Sequence, residues 1–133
     1  MGKTQSSVKA LGEIALKVTD LNKMQQFYEE VIGLTLMKRF DKIVFFKIAE
    51  GFEGHTQILA LFDRDITVTQ ERTTLDHIAF TISLADFEKE RIRLEQCGLK
   101  VRLSEHKWVH WRSLYVLDPE GNTVEFVCYD EKV

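Results

Sequence analysis

The segment HIAFTI, residues 77–82, sets Ile78, Phe80 and Ile82 on one parity and His77, Ala79 and Thr81 on the other. Such alternation predicts a half-buried strand, because successive side chains of a strand point to opposite faces. C-terminal to it, Ser83 and Asp86 read as a capping box. Leu84, Phe87, Arg91 and Leu94 then mark one helix face, and Gly98 ends the helix. Three strands are expected next, at 99–103, 111–117 and 123–129, the last two joined by the turn-forming DPEGN at 118–122.

N-terminal to HIAFTI the same order is already written once. EIALKV, residues 13–18, alternates in the same phase, and Asp20 offers a helix cap. Leu21, Met24, Phe27, Tyr28 and Val31 share a helix face that Gly33 closes, and apolar runs follow at 34–39, 43–48 and 57–62. Glu13 and His77 lie 64 residues apart and the two helix-ending glycines 65, so the chain is duplicated at the level of supersecondary structure. The expected fold class is α+β, two βαβββ modules with one helix each. Residues 1–10 are expected as a disordered tail and 11–130 as a single domain: module one 11–63, a polar connector 64–74, and module two 75–130. Neither half would bury its sheet well alone.

The chain of 133 residues is 44% hydrophobic and 29% charged, as expected of a globular domain that needs neither disulfides nor a structural metal to fold. Its net charge is −3 with Lys and Arg dispersed among the acids, which argues against a nucleic-acid partner. Cys97 and Cys128 have no CxxC spacing and read as reduced structural thiols in a cytoplasm. The sequence lacks the run of about 18 apolar residues that a spanning helix needs, so no membrane partner is expected. Gly2 with Ser6 matches an acylation pattern that a frayed tail explains as well.

If the apolar parity of each strand faces the helices, the other parity carries Glu13 and Lys17, His77 and Thr81, and Glu125 and Tyr129. Two carboxylates and an imidazole then share the side where a ligand could sit. Each has a plainer reading: Glu13 as a solvated edge carboxylate, His77 as a histidine bonded to a backbone carbonyl. Glu125, flanked by Val124, Phe126 and Val127, needs a cation, a hydrogen-bond network or water if it is buried. The residues alone leave a metal site and a purely structural arrangement both open. Leading into the strand expected at 111–117, the segment SEHKWVHWRS gathers His106, Trp108, His110, Trp111 and Arg112. Packing of an aromatic loop over the sheet edge accounts for the tryptophans. Arg112 could grip a carboxylate or phosphate in bidentate fashion, and His110 could act as acid or base. Phe45, Phe62 and Tyr115 are candidates for an apolar wall.

The ordered set EIALKVTDL, Phe27-Tyr28, Gly33-Leu34, LDHIAF at 75–80 and RSLYVLDPEGNTVEF at 112–126 resembles the vicinal oxygen chelate superfamily of glyoxalases, bleomycin-resistance proteins and extradiol dioxygenases. The resemblance implies paired modules whose sheets curve into a cup. It implies a divalent metal (Mn, Mg, Fe, Ni or Zn) held at positions that fall on Glu13, His77 and Glu125, and homodimers as the common assembly. Its fourth ligand position falls on Ala60, which cannot bind metal. One histidine with two carboxylates departs from the dioxygenases' two histidines and one carboxylate. Ala60 departs from glyoxalase I, and Glu13 stands where fosfomycin-modifying relatives have histidine.

The leading expectation is therefore a metal-dependent lyase, isomerase or transferase acting on a small molecule with adjacent oxygens. Glu125 and Glu13 are its candidate catalytic groups, and Arg112, His110, Trp108, Lys17 and Tyr129 its candidate substrate contacts. The alternative is a metal-free binding protein of the bleomycin-resistance type, suited by Ala60, Glu13 and the aromatic WVHW segment. A module working only through protein contacts is the third reading.

Overall fold

The computed structural model describes residues 6–64 and 75–133. Most of the expected connector and Gly2 of the acylation pattern lie outside the described residues. The chain divides into two compact units, Met1–Thr67 and Val68–Val133.

In the first unit, β1 (Glu13–Val18) leads into α1 (Leu21–Gln26), and β2 (Thr35–Arg39), β3 (Ile43–Ala49) and β4 (Gln57–Asp63) follow. The sheet order is β1-β4-β3-β2, with β1 parallel to β4 and the other neighbours antiparallel. Asp20 caps α1 as expected, its Oδ1 accepting from Lys23 N at 3.0 Å. The single helix read from residue 21 to Gly33 is in fact two kinds of helix, because α1 widens into a π-helical segment, Phe27–Ile32. Gly33 N donates to Tyr28 O across five residues, and Gly33 closes the segment at φ 90°. The wider turn keeps both Phe27 and Tyr28 buried, and the Tyr28 ring lies 6.4 Å from that of Phe46 on β3. Register explains the rest of this core. Ile14 faces Leu59 and Leu16 faces Leu61, while Val44 and Phe46 flank the same two leucines on the other side.

The second unit repeats the plan with β5 (His77–Thr81), α2 (Phe87–Gln96), β6 (Arg102–His106), β7 (Trp111–Leu117) and β8 (Thr123–Tyr129) in the order β5-β8-β7-β6. Phe87 and Leu94 of α2 are buried, as are Ile78, Phe80, Leu114, Val116, Val124, Phe126 and Cys128 of the sheet. Two expectations are corrected. Ser83 Oγ donates to the Asp86 carboxylate at 2.9 Å instead of capping a backbone N–H, and a 3₁₀ turn, Leu84–Asp86, precedes α2. The strand expected at 99–103 begins at Arg102 and runs to His106, because β6 is fixed by its antiparallel pairing with β7, from Arg102 beside Tyr115 to His106 beside Trp111. The segment read as a loop ahead of Ser113 is thus mostly a hairpin, with its turn at 107–110. Both cysteines are free thiols. Among the described residues no helix is long and apolar enough to cross a membrane.

Candidate functional site

Strand parity in the second unit places Leu114, Val116, Val124, Phe126 and Ile78 toward α2. The opposite face carries His77, Ser113, Tyr115, Glu125, Tyr129, Arg102 and His106. On this open face Glu125 stands beside Tyr115, and Tyr115 beside Arg102. Glu125 is only 6% exposed, so its carboxylate must be satisfied by its neighbours. Oε2 accepts from the buried Ser113 hydroxyl at 2.5 Å, and Oε1 lies 3.1 Å from His77 Nε2.

His77 is held from its other side. Its Nδ1 is 2.7 Å from Asp76 Oδ2, a contact in which the ring N–H donates to the carboxylate. In that tautomer Nε2 is a bare lone pair facing the lone pairs of Glu125 Oε1. A proton between the two atoms, on the ring or on the carboxyl, or a cation there makes the contact attractive. One imidazole nitrogen and one carboxylate oxygen, each with an outer hydrogen-bond partner, form a donor pair that suits a divalent transition metal. Within neither unit, among the described residues, do three His, Cys, Asp or Glu side chains converge on one point.

Tyr115 completes the cluster. Its ring lies 6.4 Å from that of His77 and its hydroxyl 3.2 Å from His106 Nε2, while the Arg102 guanidinium covers the ring at 4.1 Å. Burial, then the charge of Glu125, push the phenol above its ordinary ionisation range. It is therefore a neutral hydroxyl, a donor and not a phenolate, near neutral pH.

The other expected residues are distributed differently. Glu13 and Lys17 are exposed on β1 of the first unit, on the same parity. Ala60 shares that parity, facing Ala15 and Phe45 in register, so the expected fourth ligand position lies on the face of Glu13 and Lys17 and carries no donor atom. Arg112 is a correction. It has the parity of Leu114, lies over the Phe87 ring at 5.6 Å and pairs with the buried Asp130 at 2.9 Å, so it belongs to the helix side of the sheet. His110 sits in the hairpin turn at φ 59°, its Nδ1 2.7 Å from the Val133 carbonyl and its ring against Tyr129. Trp108, 84% exposed, projects from the same turn, and Tyr129 is exposed at the end of β8.

With that geometry in place, the likeness to known proteins is specific. The sequence profile of the Glyoxalase/Bleomycin resistance protein/Dioxygenase superfamily matches residues 10–126, nearly the whole chain. The chain belongs to this superfamily. Among curated relatives, it is 32% identical over 120 residues to the glutathione transferase FosA of Serratia marcescens, covering 89% of this chain and 79% of that protein. It is 32% identical over 124 residues to the metallothiol transferase FosB of Lysinibacillus sphaericus, covering 90% and 82%. The crystal structure of the fosfomycin resistance protein FosX of Listeria monocytogenes superposes with a TM-score of 0.71 at 25% identity, over 94% of this chain and 97% of that one.

For this member of the glyoxalase superfamily, sequence reasoning named His77 and Glu125 and missed the residues that surround them. Ser113, Asp76 and Arg102 went unremarked, and Tyr115 was read as wall. The signal was present in the parity of β7: once Leu114 and Val116 are taken as core, Ser113 and Tyr115 must share a face with Glu125.

Proposed function

We propose that this superfamily member is a metal-dependent transferase acting on a small molecule, with His77 and Glu125 holding a divalent cation through Nε2 and Oε1. The observation that carries the reading is the 3.1 Å approach of these two atoms, each backed on its outer side, by Asp76 at 2.7 Å and by Ser113 at 2.5 Å. Bound there, a divalent cation would polarise adjacent oxygens of a substrate and stabilise negative charge developing on them.

The chain's own residues supply the rest. Tyr115, kept neutral, offers its hydroxyl as a donor on the same face. Arg102 has no carboxylate partner among the described residues and presents a positive charge over the Tyr115 ring, where an anionic group of the substrate would be attracted. Group transfer is favoured over lyase or isomerase chemistry by the two transferase relatives, and fosfomycin is the first substrate to try. Glu13 stands in the reading as a third donor expected from the sequence.

The test is to titrate the metal-free chain with Mn(II) and Zn(II) by calorimetry and then offer fosfomycin with glutathione or a smaller thiol, following adduct mass. We expect metal binding near one ion per chain and metal-dependent adduct, both lost in Glu125→Gln and His77→Ala. Affinity should also fall in Glu13→Gln. No metal bound at millimolar concentration, with fosfomycin still raising the melting temperature in chelator, would overturn this in favour of a metal-free binding protein.

A further inference from the structure

The second unit holds a cavity of about 370 Å³ whose lining includes Leu99, Lys100, Arg102, Tyr115, Leu117 and Thr123. Register locates it on the sheet. Arg102 stands beside Tyr115 and Leu117 beside Thr123, while Tyr115 neighbours Glu125 and Thr123 neighbours His77. The cavity therefore flanks the His77–Glu125 pair on the same open face, and the connection from α2 to β6 adds Leu99 and Lys100 to its wall. Its volume falls within the range of about 300–1,000 Å³ usual for small-molecule sites.

The chemistry of the lining is one-sided. Leu99, Leu117 and the Tyr115 ring are apolar, two residues are cationic, and no carboxylate takes part. Neither Lys100 nor Arg102 has an ion-pair partner among the described residues. The Arg102 guanidinium lies over the Tyr115 ring at 4.1 Å, which occupies its face and leaves its N–H edge for an acceptor. Apolar walls remove the body of a ligand from water, and an edge-on guanidinium with a lysine nearby selects a negative headgroup.

We infer that this cavity binds an organic anion, a carboxylate carried on an apolar body, with the carboxylate on Arg102 and Lys100 and the body against Leu99 and Leu117. That such a molecule takes part in chemistry at His77 and Glu125 rests on the metal reading above; its binding does not.

The probe is 4-phenylbutyrate, titrated into the ¹⁵N-labelled full chain in the presence of chelator, with 4-phenylbutanol as the uncharged molecule of the same body. Amide shifts should concentrate at 98–102, 115–117 and 123. The carboxylate should bind on the order of 10-fold more tightly than the alcohol, and Arg102→Met should remove that difference. Leu117→Trp, which fills the cavity from an exposed position, should weaken both probes. Lys107→Met, a cation of the hairpin turn outside the cavity, should bind both as the wild type does. Equal affinity for carboxylate and alcohol, a preference that survives Arg102→Met, or shifts centred on Trp108 and Trp111 would overturn the proposal. A chain that takes up no Zn(II) in a separate titration would sink the metal reading, while the titrations in chelator still decide the cavity.

Discussion

Glu125 and Arg112 are two charged residues of neighbouring strands in one sheet, and their side chains lie on opposite faces. Glu125 is buried against Ser113 and His77, Arg112 against Asp130 and the Phe87 ring. This predicts two different failures. Ser113→Ala removes the donor of a buried carboxylate, which costs about 1–3 kcal/mol in urea unfolding and also weakens Zn(II) binding, since the same oxygen loses its anchor. Arg112→Met strands the buried Asp130, so stability falls while Zn(II) affinity stays at the wild-type value. A loss of metal affinity in Arg112→Met would put Arg112 back among the site residues. Glu125 was legible in the sequence because a carboxylate among Val124, Phe126 and Val127 has few explanations. Arg112 was misread because the crowding of WVHWRS suggested a loop, although the strand expected at 111–117 already gives Arg112 the parity of Leu114.

At the scale of elements, both helices and the succession of strands along the chain were readable because apolar periodicity and helix-ending glycines repeat at near-constant spacing. The π-helical widening after Gln26 was not, since it adds one residue to a turn without changing which residues are apolar. Two glycines show how different the local demands are. Gly33 lies at φ 90° with open space around an added Cβ, so Gly33→Ala meets only backbone strain and should cost about 1 kcal/mol. An added Cβ at Gly51 would stand 1.8 Å from the His55 carbonyl oxygen, which is backbone and cannot swing aside. Gly51→Ala must therefore shift the connection between β3 and β4, and its urea midpoint should fall clearly below that of Gly33→Ala, by at least about 1 kcal/mol in stability. Equal midpoints would mean that this connection relaxes freely in solution.

For the whole molecule, the parallel pairing of the first strand with the last in each unit has an energetic consequence. β5 pairs with β8, so His77 and Glu125 are distant in sequence and come together only when the second unit is folded. An ion bound to both therefore favours the native state over the unfolded chain by mass action, by about 2.7 kcal/mol at a hundredfold excess over its dissociation constant. For a domain of this size that is a rise in melting temperature on the order of 10 °C, read by calorimetry with and without Zn(II). Glu125→Gln should melt at one temperature in both conditions. Hydrogen exchange refines the expectation, because slowed exchange on adding Zn(II) should concentrate in β5, β7 and β8, the strands that carry His77, Ser113 and Tyr115, and Glu125. Protection gained in β1 as well is what a ligand role for Glu13 requires, and a β1 that exchanges at the same rate with and without zinc would remove Glu13 from the donor set.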